Sequence, residues 1–127
     1  LMLIKEMQKK NIKIYGSKIL IMGVTFKENC ADIRNSGVKN IVDELKKNNC
    51  NLDLYDPWAD SEEVKKLYGI TPNTTLNHNA YDGIIIAVAH EKFKDLGETK
   101  ITNLCNKNHV IYDLKYLFSK DKFSFRL

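Results

Sequence analysis

Lys18-Ile-Leu-Ile-Met-Gly-Val-Thr-Phe-Lys-Glu-Asn-Cys-Ala-Asp-Ile-Arg-Asn-Ser36 leaves a short apolar run, crosses a polar stretch headed by a glycine, and enters an amphipathic helical pattern. The run Lys18–Met22 is nearly continuous Ile, Leu and Met, which suits a central strand covered on both faces. A loop between such a strand and a helix lies at the strand's carboxyl end, where open parallel α/β sheets dock ligands. This loop holds Lys27 and Arg34 seven positions apart, Asp32 between them and Phe26 beside the lysine. Ammonium and guanidinium groups meet phosphate oxygens and a phenyl ring offers a packing face, so the set suits a ligand with phosphates and a flat ring. A solvated basic loop would use the same residue types, and composition alone does not separate the two.

Working outward, three further apolar runs appear at Leu52–Tyr55, Gly83–Val88 and His109–Tyr112. Helical patterns lie between them. Val38, Ile41, Val42 and Leu45 recur at i, i+3, i+4 and i+7, with Asn35 or Ser36 placed to cap the start. Asp60 and Glu63 form a capping-box pair ahead of Val64, Leu67 and Tyr68, and Gly69 stands where a helix ends. A weaker helical stretch spans Glu98–Cys105, and His90–Gly97 holds one turn around Phe93 and Leu96. Thr71–Asn79 reads as an irregular surface segment with room for a brief strand. Alternating strand and helix is the signature of βαβ units. The expected fold is an α/β three-layer sandwich with a parallel, Rossmann-like sheet of at least four strands, ordered 2-1-3-4.

The chain has 127 residues, enough for one domain with its own core. Its net charge of +4 is spread among acidic residues, so nucleic-acid binding is not called for. No apolar stretch approaches a membrane span and no signal peptide is evident, so a cytoplasmic location is expected. Cys30, Cys50 and Cys105 are odd in number and lack Cys-x-x-Cys spacing, which argues against a disulfide framework or a zinc site. His78, His90 and His109 are isolated from one another, so no metal site is expected.

A dinucleotide fingerprint needs three spaced glycines after the first strand. Only Gly23 is present, with Thr25 and Phe26 where small residues would be wanted. NAD binding by this domain alone is therefore not expected. Any pyrophosphate must be held by side chains, with Lys27 and Arg34 the candidates. Asp56 suits either a ribose-binding acid or the rigid turn that Pro57 and Trp58 imply. Trp58 has the setting of a half-exposed interface aromatic, and His90 either lines the cleft or is an ordinary loop histidine.

The stretch Gly23–Ser36 resembles the Gly-x-x-Phe-Lys-x-x-x-x-Asp-x-Arg-x-Ser motif of the C-terminal, UDP-binding domain of UDP-glucose/GDP-mannose dehydrogenases. Leu54-Tyr-Asp-Pro-Trp58, Tyr81–His90 and Ile111-Tyr-Asp-Leu-Lys115 are similar to the segments ending that family's second, third and fourth strands. The likeness leans toward members that oxidise UDP-N-acetylhexosamines for surface polysaccharide. It implies that Phe26 and Lys27 contact the UDP-sugar and that Arg34 touches the NAD phosphates. Lys115 stands where many relatives carry a substrate-binding Arg, which implies a single-point contact in place of a bidentate one. Asp32 would orient Arg34 or the loop.

The family reaction is a double oxidation of a sugar C6 alcohol to a carboxylate, with two NAD reduced through a thiohemiacetal on a Cys. The resemblance places that nucleophile, and most of the NAD site, outside these 127 residues. No catalytic residue is therefore assigned here. Cys30 lies in the ligand loop without a neighbouring base in sequence, while Cys50 and Cys105 fall on apolar faces. The expected organisation is the tail of a preceding linker helix over 1–15, a UDP-binding domain over 16–118 and a loosely packed tail over 119–127. The whole protein is expected to form a homodimer. A generic flavodoxin-like nucleotide-binding module and a structural or oligomerisation domain remain as alternatives.

Overall fold

The computed structural model describes residues 2–34 and 36–118. Its elements are α1 (Met2–Lys9), β1 (Lys18–Met22), α2 (Val38–Lys47), β2 (Asn51–Tyr55), α3 (Ser61–Tyr68), β3 (Tyr81–Ile86), α4 (Glu91–Thr102) and β4 (Cys105–Asp113). All paired strands are parallel, in the order β2-β1-β3-β4, as the sequence implied. The chain steps from β1 to β2 on one side and returns to β3 on the other. The loops after β1 and β3 therefore part at the carboxyl ends of the two central strands, which is the topological switch point of this sheet.

Strand alternation sorts the core into two layers. Ile19 and Ile21 face α1, α2 and α3, packing with Leu3, Met7, Val42, Leu45, Val64 and Tyr68. Leu20 and Met22 face the other way, packing with Tyr81, Phe93, Ile101 and Leu104 around α4. Each of these aliphatic side chains contributes about 1.5–3 kcal/mol by leaving water. Helix α1 lies across β3 and β4. Leu3 Cδ2 and Met7 Sδ both come within 3.5 Å of the place a Cβ on Gly83 would take.

Local chemistry fixes the helix ends. Asp60 accepts hydrogen bonds from the N–H groups of Glu62 (2.9 Å) and Glu63 (3.1 Å), and Gly69 closes α3 at φ +71°. Ser36 Oγ accepts from Val38 N–H (3.2 Å) at the start of α2, with Gly37 at the cap position itself. Asn35, the other expected cap, lies outside the described residues, as does the expected tail from 119 onward.

One element boundary differs from the sequence reading. The span labelled α4 is, as that reading had it, a helical turn around Phe93 followed by a separate helical stretch, with Gly97 between them at the non-helical φ 81°, ψ 158°. Strand β4 starts at Cys105, not His109, because its pairing with β3 slips: Tyr81 faces Cys105 but Gly83 faces Val110. The polar residues that hid this start are used in the slip. Asn106 Nδ2 donates to Asp82 Oδ1 (2.8 Å), and His109 Nδ1 lies 2.7 Å from the Asn106 carbonyl. Thr71–Asn79 is irregular, with Asn73 N–H donating to the Leu54 carbonyl (2.7 Å).

Candidate functional site

The loops at the carboxyl ends of the strands are held together by buried polar groups. Asp56, directly after β2, has its carboxylate 1% exposed. Its Oδ2 accepts from Val24 N–H (2.8 Å) in the loop after β1 and lies 3.0 Å from His90 Nε2 in the loop after β3. Its Oδ1 accepts from the N–H groups of Trp58 (2.8 Å) and Ala59 (3.1 Å). One carboxylate thus joins the exits of three strands. Burial pushes this carboxyl up, but the hydrogen bonds from His90, Val24 and Trp58 outweigh it and leave it below its ordinary value. Asp56 is therefore the anchor of the rigid turn, the second of the two roles its sequence allowed. His90 is fully buried and does not line an open cleft. Asp113, the last residue of β4 and also fully buried, ties down the segment that follows it, accepting from Leu117 and Phe118 N–H (both 3.0 Å).

Beside this frame, at the switch point, lies a hollow of about 230 Å³. Thr25 and Phe26 border it from the loop after β1, Ser36 and Gly37 from the start of α2, and Ala87 from the loop after β3. Leu114 and Lys115 close it from the loop after β4. Phe26 is 57% exposed there. An aromatic residue, a lysine and the amino end of a ten-residue helix border one volume. That combination favours an anion joined to a planar ring.

A second, larger hollow of about 940 Å³ lies between the far part of the same loop and α3, bordered by Asp32, Arg34, Trp58, Asp60 and Glu63. Arg34 grips Asp32 in a bidentate pair, Nε to Oδ1 and Nη2 to Oδ2, both 3.0 Å. The hydrogen bonds from Arg34 hold the Asp32 carboxyl below its usual range. Asp32 therefore orients Arg34, as its place in the motif implied. The pair is mostly solvent-facing, so it adds little to stability.

The structure thus places Phe26 and Lys115 on one hollow and Arg34 on another. Lys27 borders neither, and among the described residues its side chain makes no hydrogen bond or ion pair. Lys27 and Arg34, the two candidates for a pyrophosphate, are thus not brought together on one hollow. Asn29 turns the loop between them at φ 54°, and Asp32 takes up one edge of the guanidinium. Cys30 Sγ accepts a long hydrogen bond from Asp32 N–H (3.5 Å) and, among the described residues, none from a Lys or His. Among the described residues, no group of three or more His, Cys, Asp and Glu could hold a metal ion. No described helix is long and apolar enough to cross a membrane.

Residues 20–120 match the model of the UDP-glucose/GDP-mannose dehydrogenase family, UDP binding domain. The chain belongs to this family. The match spans the loop after β1, the Asp56 turn, His90 and Lys115, so both hollows fall within the UDP-binding domain. Membership removes the alternative of a generic flavodoxin-like module. The chain is 50% identical over 98% of its length to a UDP-N-acetyl-D-glucosamine 6-dehydrogenase of Pseudomonas aeruginosa, covering 30% of that protein. It is 47% identical, again over 98% of its length, to the Salmonella typhi protein of the same name, covering 29% of it. The 127 residues therefore span less than a third of these relatives. Among solved structures, an NDP-N-acetyl-D-galactosaminuronic acid dehydrogenase from Methanosarcina mazei superposes with a TM-score of 0.80 at 23% identity. That comparison covers 94% of this chain and 25% of the other, and it shows the shared fold.

Proposed function

We propose that this UDP-binding domain serves an NAD-dependent UDP-sugar 6-dehydrogenase, acting on a UDP-N-acetylhexosamine to give its uronic acid for polysaccharide biosynthesis. One observation carries the reading: Phe26 and Lys115 border a single hollow at the switch point, beside the amino end of α2. Phe26 packs on the uracil or ribose, Lys115 meets a diphosphate oxygen as a point charge, and Lys27 reaches the substrate from the exposed rim. The identities to UDP-N-acetyl-D-glucosamine 6-dehydrogenases support the choice of sugar class. The reading includes a cytoplasmic enzyme, homodimeric as a whole.

Arg34 suits the NAD phosphates. A guanidinium has five N–H donors, and Asp32 engages one edge of it, so the remaining donors stay available on a side chain 83% exposed. NAD, when bound, supplies the hydride acceptor for each of the two oxidations. This chain's part is to bind the nucleotide and hold the sugar in place. No thiol among the described residues is paired with an activating base, so the chain alone is expected to form no NADH from a UDP-N-acetylhexosamine and NAD. Turnover in that assay would show that the nucleophile resides here.

The binding claim is tested by titrating UDP calorimetrically into the 127-residue chain. Lys115→Ala and Lys27→Ala should each weaken binding by up to about fivefold, the worth of one exposed charge contact. Arg34→Ala should leave UDP affinity unchanged. Absence of binding at millimolar UDP would leave either the structural or oligomerisation role or a site that needs both domains.

A further inference from the structure

We propose that His90 is the residue that positions Phe26 and Lys27 for their ligand, a role that rests on the UDP-binding reading above. The imidazole is fully buried at the head of α4, with its edge toward Phe93 at 5.2 Å between ring centres. Its Nδ1 accepts a hydrogen bond from Asn29 N–H (2.9 Å), so that nitrogen carries no proton. The proton of the neutral ring therefore sits on Nε2, which faces Asp56 Oδ2 at 3.0 Å and Thr25 Oγ1 at 3.1 Å. The Thr25 hydroxyl donates its own hydrogen to the Lys27 carbonyl (3.0 Å), which leaves its oxygen free to accept from the ring.

One side chain thus holds the loop on both sides of the exposed segment, at Thr25 before it and at Asn29 after it. A return bond completes the lock, with Glu91 N–H donating to Asn29 Oδ1 (3.2 Å). Asn29 sits in the left-handed region at φ 54°, a conformation asparagine tolerates and these two bonds fix. Phe26 and Lys27 themselves project into solvent. Phe26 N–H is also tied to the Asp32 carbonyl (2.6 Å), so their placement depends on that bond together with how firmly the ends of the segment are held, and a segment set beforehand loses less entropy on binding. A histidine present only to fill the core would need neither this tautomer nor both loop contacts.

The test uses the isotope-labelled 127-residue chain. The imidazole nitrogen spectrum at neutral pH should place the proton on Nε2, and a ring protonated on Nδ1 overturns the proposal. That measurement needs no variant. His90→Phe keeps the ring's bulk and removes both hydrogen-bonding nitrogens. Amide exchange at Asn29 should then accelerate by about tenfold, with UDP bound about three- to tenfold more weakly. His90→Gln, whose amide offers one acceptor and one donor, should restore most of both. Unchanged exchange in folded His90→Phe overturns the proposal, as does faster exchange with undiminished UDP affinity. If the wild-type chain binds no UDP, the ligand reading fails separately, and the tautomer and exchange results still decide whether His90 holds the loop.

Discussion

Gly23→Ala is expected to lower the stability of this domain by about 3–5 kcal/mol, enough to shift thermal unfolding by roughly 10–20 °C. Two effects add. Gly23 adopts φ +100°, a region that L side chains rarely enter. A Cβ there would also lie 2.6 Å from Val88 Cβ, 2.8 Å from Val88 Cγ2 and 2.9 Å from Val88 N. The backbone on either side cannot yield cheaply. Gly23 N–H donates to the Tyr55 carbonyl (2.9 Å), and Ala87 N–H donates to the Met22 carbonyl (2.9 Å). The glycine is thus clamped between the ends of β2 and β3 where the loop must leave the sheet. Val88→Ala in the same chain should recover less than half the loss, since it removes only the Cγ2 contact and leaves those with Cβ and the backbone nitrogen. Gly37→Ala is the control, with φ −65° and no atom within 4 Å of the added methyl, and it should stay within about 1 kcal/mol of wild type. Thermal unfolding of the four proteins checks the order; an unperturbed Gly23→Ala variant would refute the close-approach account.

The fold was legible wherever a residue's own chemistry decided the local structure. Lys18–Met22 reads as a covered strand and is one, to the residue. Asp60 and Gly69 announce the ends of α3 because a carboxylate cap and a left-handed glycine act within one turn of chain. What escaped was non-local. The polar start of β4 follows from a slip against β3 that involves Asp82. The exposed site residues were named from a motif, and two of them, Phe26 and Lys115, do meet on one hollow. Their support was harder to see. Asp56 and His90 are 34 positions apart and become neighbours only because β2 and β3 flank β1. One sequence signal could have paired them: each is a titratable residue just past an apolar strand run, on strands that the expected order 2-1-3-4 sets on either side of the first. Asn29 was equally available, as an asparagine in a loop that must turn sharply between Lys27 and Arg34.

Asp56→Ala should cost about 3–5 kcal/mol, the range for removing one partner from a buried, charged network. The N–H groups of Val24, Trp58 and Ala59 and the ring of His90 all lose the acceptor they share. Asparagine should be a poor rescue. Its oxygen can serve Trp58 and Ala59, but its NH2 group would then point at two donors, Val24 N–H and His90 Nε2–H. His90 cannot relieve the conflict by moving its proton to Nδ1, because Asn29 N–H already points there. The pH dependence separates charge from shape. The folded pKa of Asp56 lies below its unfolded value, near 3.9 for a free aspartate. Between the two values the unfolded chain binds more protons, so stability rises with pH there. The contribution is fully present above the unfolded pKa and is lost as pH falls through the folded one. Urea unfolding midpoints taken from neutral pH down to about 3 should therefore fall more steeply for wild type than for Asp56→Asn, which has no carboxyl to protonate. Parallel curves would mean that the carboxylate's charge is not what joins the three strand ends. The loop would then owe its shape to the His90 and Gly23 contacts alone.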